Sequence, residues 1–264
     1  VVIRNRITLV VQTQDAYSQG FSVYDQQGIG STMWSVCVGD FDQNGRNDIL
    51  TGGAFTNIRL YNGNVSGTPY TGSVLANSDI FLQGSNFVDI DNDGWLDVFA
   101  CHDVGDSRKY HNDGAGNLTF DNSLLNTEAP PSDHSGNYAS IWTDYDNDGD
   151  IDMYLYKCRQ GVTDPTDLRR VNMLFQNDGS NTYTEVAAGA GLRLGDQTWG
   201  TDFADIDNDG DLDAFVNNHE TDCLLLINNG DGTYADATAG SGLLPTLAGS
   251  GSLIGIQAIF RDFD

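Results

Sequence analysis

Carboxylates at alternate positions, closed by a glycine and one further acid, are the chemistry this sequence repeats. The segment Asp40-Phe41-Asp42-Gln43-Asn44-Gly45-Arg46-Asn47-Asp48 aligns without gaps with Asp89-Ile90-Asp91-Asn92-Asp93-Gly94-Trp95-Leu96-Asp97. Two further copies are Asp144-Tyr145-Asp146-Asn147-Asp148-Gly149-Asp150-Ile151-Asp152 and Asp205-Ile206-Asp207-Asn208-Asp209-Gly210-Asp211-Leu212-Asp213, and a fifth begins at Asp262-Phe263-Asp264. The starts lie 49, 55, 61 and 57 residues apart. Hard cations such as calcium take about 6–8 oxygens at about 2.3–2.6 Å in a flexible shell. Positions 1, 3 and 5 of a tight curl can turn their oxygens inward. Glycine at position 6 permits the sharp turn, position 7 can offer its carbonyl, and the acid at position 9 closes the shell. The start is that of an EF-hand loop, but an EF-hand ends on Glu at position 12 between two helices. Position 12 here is Thr51, Ala100, Leu155 or Val216, with β-type residues around it, so an EF-hand is excluded. A single loop of this kind can be an ordinary Asp/Gly turn. Four in register cannot.

Other chemistry is sparse. Cys37, Cys101, Cys158 and Cys223 lack Cys-x-x-Cys spacing, which argues against zinc and leaves disulfides or buried free thiols. His102, His111, His134 and His219 share no repeat position and no partner spacing, and read as surface or core residues. There is no Gly-x-Ser-x-Gly elbow, His-Glu-x-x-His or P-loop. Asn64-Val65-Ser66 and Asn117-Leu118-Thr119 are glycosylation sequons in turn regions. Trp34, Trp142 and Trp199 precede acidic loops and read as core, whereas Trp95, inside its loop, is expected to be exposed.

The elements that must position these loops also repeat. Strand-like stretches such as 199–204 lead into a loop, and apolar runs such as Val98-Phe99-Ala100 and Met153-Tyr154-Leu155-Tyr156 leave it. Downstream comes an apolar stretch, an Asn/Asp/Gly turn and an aromatic: 109–114 before Phe120, 174–179 before Tyr183, 225–232 before Tyr234. Asn-Gly and Asp-Gly supply the positive φ of two-residue hairpins. One repeat therefore predicts strand A, acidic loop, strand B, connection, strand C, hairpin and strand D, which is one propeller blade.

The fold class expected is an all-β propeller of four-stranded antiparallel blades, a single domain over 1–264. Leu9–Gln12 and Phe21–Tyr24 read as strands C and D of a blade, Val1–Ile3 as its strand B, and 255–260 as a strand A without partners. Two arrangements follow: five blades with a composite blade from both termini, or part of a larger, seven-bladed propeller. Terminal strands that complete a neighbouring copy would instead give homo-assembly.

Composition limits the rest. The chain has 264 residues, with 12 Lys and Arg against 38 Asp and Glu, a formal charge of −26. Only Glu128, Glu185 and Glu220 are glutamate, so the excess is aspartate. No basic stripe exists to replace phosphate counterions, which excludes nucleic acid. No apolar run nears the roughly 18–20 residues of a membrane helix. A disordered acidic tail is excluded too, because hydrophobic residues make up 39% and the acids recur at intervals.

On these loops and on 228–234, Asn-Asn-Gly-Asp-Gly-Thr-Tyr, the whole chain resembles the FG-GAP/VCBS repeat family. Its members include the propellers of integrin α-subunit heads, and this chain is most like the bacterial and cartilage-acidic-protein branch. The resemblance implies loops that join strands A and B and bind Ca²⁺, about four ions in all. The side-chain ligands it implies are Asp40, Asp42, Asn44, Asp48; Asp89, Asp91, Asp93, Asp97; Asp144, Asp146, Asp148, Asp152; and Asp205, Asp207, Asp209, Asp213. The carbonyls of Arg46, Trp95, Asp150 and Asp211 join them. Loop one departs from the pattern through Asn44 and Arg46 and is expected to bind weakest; Asp262–Asp264 cannot make a site alone. The function implied is a non-enzymatic, secreted or cell-surface adhesion or matrix-assembly module, glycosylated if the sequons are used, with a protein or glycan ligand. A lectin, or a non-catalytic domain of a secreted polysaccharide-active enzyme, are the alternatives. The chain begins at Val1, which fits signal-peptide removal and equally a trimmed chain.

Overall fold

The computed structural model describes residues 9–11, 22–24, 33–63, 70–127 and 135–241. Strands β1 (Leu9–Val11) and β2 (Ser22–Tyr24) form an antiparallel pair, as the C–D reading of this segment expects. The proposed partners of that pair, at 1–3 and 255–260, lie outside the described residues, as do the partial loop 262–264, the sequon at Asn64 and His134.

Four four-stranded antiparallel sheets follow, each in simple sequence order. The first holds β3 (Met33–Gly39), β4 (Asp48–Gly53), β5 (Thr56–Asn62) and β6 (Thr71–Ile80). The second holds β7 (Leu82–Val88), β8 (Asp97–His102), β9 (Arg108–Asn112) and β10 (Leu118–Phe120). The third holds β11 (Asn137–Thr143), β12 (Asp152–Lys157), β13 (Met173–Asn177) and β14 (Tyr183–Glu185). The fourth holds β15 (Thr198–Ala204), β16 (Asp213–Asn218), β17 (Leu224–Asn228) and β18 (Tyr234–Asp236). The first strands β3, β7, β11 and β15 pack beside one another in succession, the arrangement of propeller blades. A four-residue helix, α1 (Ala187–Ala190), follows β14. Among the described residues no helix is long and apolar enough to cross a membrane.

The core lies between the sheets. Phe41, Leu50, Leu60, Leu82, Val98 and Tyr110 join the first sheet to the second. Ile90, Phe99, Met153, Leu155 and Phe175 join the second to the third, and Tyr154, Leu174, Val216, Leu226 and Tyr234 the third to the fourth. This explains the sequence of the second strands. β4, β8 and β12 are buried at every residue, and β8 and β12 are covered on both faces by neighbouring blades. They accordingly read as apolar runs rather than as alternation.

The C–D hairpins differ from expectation. Their loops have five residues, 113–117, 178–182 and 229–233, rather than two. They close by Asp113 N–H to Asn117 O (3.2 Å), Asp178 N–H to Thr182 O (3.1 Å) and Asn229 N–H to Thr233 O (2.8 Å). Positive φ recurs at the second and fourth loop residues: Gly114 and Gly116, Gly179 and Asn181, Gly230 and Gly232. The Asn, Asp and Gly turn residues match the expectation and the loop length does not.

Two tryptophans also depart from expectation. Trp34 is 53% exposed, edge-on to Phe81, whereas Trp95 is half-buried against Gly114 of its own hairpin. Trp142 packs edge-on to Phe99 and Trp199 stacks on Tyr138. All four cysteines are free, so no disulfide joins the blades. Burial pushes the thiols of Cys37 and Cys158 up to about 11 and that of Cys101 up to about 12, which leaves them protonated and unreactive.

Candidate metal centres

Each acidic loop joins the first and second strands of its blade, and all four are built by the same hydrogen bonds. The position-1 carboxylate receives two backbone N–H groups. Asn44 and Gly45 donate to Asp40 (3.0 and 2.8 Å), and Asp93 and Gly94 to Asp89 (3.0 and 2.8 Å). Asp148 and Gly149 donate to Asp144 (3.0 and 3.0 Å), and Asp209 and Gly210 to Asp205 (3.1 and 3.1 Å). The curl that permits this has positive φ at position 4 (Gln43, Asn92, Asn147, Asn208) and at position 6 (Gly45, Gly94, Gly149, Gly210). A Cβ on any of those four glycines would meet nothing within 4 Å, so conformation and not space demands glycine. Asn recurs at position 4 because it tolerates that region better than other side chains do.

The position-9 aspartate has a role beyond the one its spacing suggested. Asp48, Asp97, Asp152 and Asp213 are essentially unexposed. One oxygen of each accepts the position-2 N–H, from Phe41, Ile90, Tyr145 and Ile206. The other accepts the N–H of Gly63, Asn112, Asn177 and Asn228 at the end of the third strand. The acid thus ties the loop to its own blade as well as facing the curl. Burial pushes Asp48 and Asp97 up to about 6 and Asp152 up to about 7, against the pull of those N–H donors. Burial and then the position-5 neighbour also raise Asp91, Asp146 and Asp207. The ionised loops are therefore uncomfortable without a counter-charge.

Carboxylate oxygens converge in every loop. Within each set, Asp40, Asp42 and Asp48; Asp89, Asp91 and Asp93; Asp144, Asp146 and Asp152; and Asp205, Asp207 and Asp213 bring oxygens within 4.8 Å of one another. Two ligands on opposite sides of a calcium ion lie about 4.8 Å apart, so each set fits within one shell. Asp91 Oδ1 and Asp146 Oδ1 are enclosed and have no hydrogen-bond partner, as open coordination positions require. The residues present fit calcium.

Position-5 Asp93, Asp148 and Asp209 accept the N–H of Trp95, Asp150 and Asp211 (2.9, 3.0 and 3.0 Å), which turns the position-7 peptide. Asn44 breaks this rule: its amide donates to Gly63 O (3.2 Å) and its N–H is shared with Asp42 (3.2 Å). Loop one also differs at the next residue but one, where Arg46 is exposed.

Residues outside the motif complete the sites. His111 stands with Nδ1 3.3 Å from Asp91 and 3.4 Å from Asp97, and Gln176 donates to Asp146 (2.6 Å) from the same place in the next blade. Reading the histidines singly hid this; aligning the residue before Gly63, Asn112, Asn177 and Asn228 would have found it. The blades are also stapled at the loops. Asn112 donates to Phe41 O (2.8 Å), Tyr183 to Ile90 O (3.0 Å), and Asn228 to Tyr145 O (3.2 Å), each on the loop of the preceding blade. Gln43 reaches Gly94 O (2.7 Å), and Asn147 reaches Asp211 (2.7 Å).

The family described as FG-GAP-like repeat matches residues 89–155, which span the second loop, its blade and the third loop. No curated protein matches the chain. Among solved structures it is similar to the V. cholerae biofilm matrix protein Bap1, at 16% identity and a TM-score of 0.43, over 83% of this chain and 29% of that one. It is also similar to the Tc holotoxin pore of Photorhabdus luminescens, at 13% identity and a TM-score of 0.38, over 87% of this chain and 10% of that one. The chain thus spans less than a third of either of those proteins. The loop bonding and strand order of 89–155, the stretch that matches the FG-GAP-like repeat, recur in the other described blades.

Proposed function

We propose that the chain is a calcium-stabilised extracellular propeller without catalytic activity, acting as an adhesion or surface and matrix-assembly module. The observation that carries this reading is the set of converging carboxylates at the same turn of all four blades. Oxygen sites of this kind suit the roughly millimolar calcium met by extracellular modules. Capture on immobilised extracellular polymers, both protein and polysaccharide, tests it. Retention in calcium with release by EDTA is expected. A chain that takes up no calcium, or whose retention ignores calcium, refutes the reading.

Glycan binding is the second reading, and an exposed aromatic group favours it. Trp34 and Phe55, 53% and 65% exposed, both stand edge-on to Phe81 at 5.0 Å. Such faces suit a sugar ring. A glycan array with the parent chain and Trp34→Ala decides it, loss of a specific signal in the variant being the outcome that supports a lectin.

A further inference from the structure

The second acidic loop differs from the others in one donor. Across the blades, the residue before the one whose N–H reaches the position-9 acid is Asn62, His111, Gln176 or Ile227. Only His111 brings a nitrogen with a lone pair. Its Nδ1 lies 3.3 Å from Asp91 Oδ2 and 3.4 Å from Asp97 Oδ1, and the three residues offer ligand atoms all within 4.8 Å of one another. Neither this nitrogen, which is enclosed although the ring is about one-third exposed, nor the enclosed Asp91 Oδ1 has a hydrogen-bond partner. Zinc bonds of about 2.0–2.2 Å in a tetrahedron set neighbouring ligands about 3.3–3.6 Å apart. The spacing around Nδ1 falls in that range.

We propose that Asp91, Asp97 and His111 form a mixed nitrogen–oxygen centre that takes a borderline divalent cation of the zinc class, the fourth position being left to water. Imidazole suits zinc, copper and nickel, whereas calcium prefers oxygen alone. Blade three supplies the comparison. There Gln176 Nε2 donates to Asp146 Oδ2 at 2.6 Å, so an amide closes the place the imidazole leaves open. In blade four Ile227 offers no donor at all. The centre is therefore a property of one loop, and it does not depend on the adhesion reading.

The test titrates the purified chain with zinc, and with cobalt as a visible-absorption probe, while calcium uptake is measured separately. The parent chain is expected to take one zinc and to develop cobalt bands of a nitrogen-containing site of low coordination number. His111→Gln, which copies blade three, should lose both and keep its calcium in the other loops. Gln176→His should gain a second zinc beside Asp146 and Asp152. Zinc uptake that is absent, or is unchanged by both substitutions, overturns the proposal. Because calcium uptake is read independently, a parent chain that takes calcium but no zinc sinks this centre alone, and a parent chain that takes zinc but no calcium sinks the reading above. Should His111→Gln fail to fold, the Gln176→His gain still decides.

Discussion

At the scale of single residues, the loops differ mainly in how much charge they present and how deeply it is buried. Loop one has Asn44 where the others have aspartate, and that amide is occupied by Gly63 O. Asn44→Asp should strengthen the weakest calcium step by on the order of tenfold, since ligand charge count tunes such sites. Calorimetry comparing the two chains checks it, and equal isotherms would count against loop one as a calcium site. The buried position-9 acids set a pH response. Asp48, Asp97 and Asp152 have native values of about 6, 6 and 7, above the roughly 3.9 of an unfolded aspartate. A native state that holds protons more tightly than the unfolded chain is favoured as pH falls, so between about pH 7 and pH 4 these groups stabilise the metal-free protein progressively. The melting temperature in EDTA should therefore rise from pH 7.5 to pH 5. In excess calcium the trend should flatten or reverse, because the ion needs these carboxylates ionised. A metal-free protein that instead loses stability over that interval would show that other groups dominate. The carboxylate positions were legible in the sequence, since period and spacing suffice to name them. His111 was not legible from spacing within the loop, because it stands on the third strand and meets Asp91 only in the folded blade.

At the scale of elements, most of each blade was legible and its closure was not. The strands announce themselves because a strand covered on both faces must be apolar throughout, as Met153–Tyr156 is. The hairpin length escaped because Asn, Asp and Gly mark positive φ without saying how many residues separate two such positions; Gly114 and Gly116 serve a five-residue loop as readily as a two-residue turn. The Trp34 and Trp95 exposures escaped for a related reason. Placement relative to a loop does not reveal which neighbour covers a ring. What the elements add beyond the sequence is the staple from each outer hairpin to the preceding loop. Asn112 donates to both Phe41 O and Leu96 O from a fully buried position. Asn112→Ala should leave both carbonyls unsatisfied by that side chain and cost about 1–3 kcal/mol, whereas Tyr183→Phe, losing one bond to Ile90 O, should cost about 1 kcal/mol. Urea unfolding in saturating calcium measures both. If Asn112→Ala is neutral there, the staples position the loops without contributing to stability.

At the scale of the whole molecule, the charge of −26 and the four loops are one problem. Net charge of this size destabilises a compact state through self-repulsion, and here the repulsion is concentrated where carboxylates converge. Four divalent ions, one per loop, would bring the formal charge to about −18, and, more to the point, would place positive charge where the crowding is greatest. Sodium chloride can only screen. At about 0.15 M the Debye length is about 8 Å, longer than the spacing of oxygens within a loop, so salt relieves repulsion between loops far better than repulsion inside one. Ligand binding to the native state contributes about 2.7 kcal/mol per site at a hundredfold excess over Kd, and several such sites rival the roughly 5–15 kcal/mol of a whole domain. The expectation is ordered accordingly. EDTA should lower the melting temperature sharply, sodium chloride should restore a minor part of the loss, magnesium little more, and calcium all of it. Magnesium falls short because its small octahedral shell retains water and cannot use a wide ring of oxygens. Thermal melts of the same preparation under the four conditions, with metal content verified, read this order directly. Full recovery with salt alone would place the instability in diffuse surface charge and remove the loops as the origin of the calcium effect.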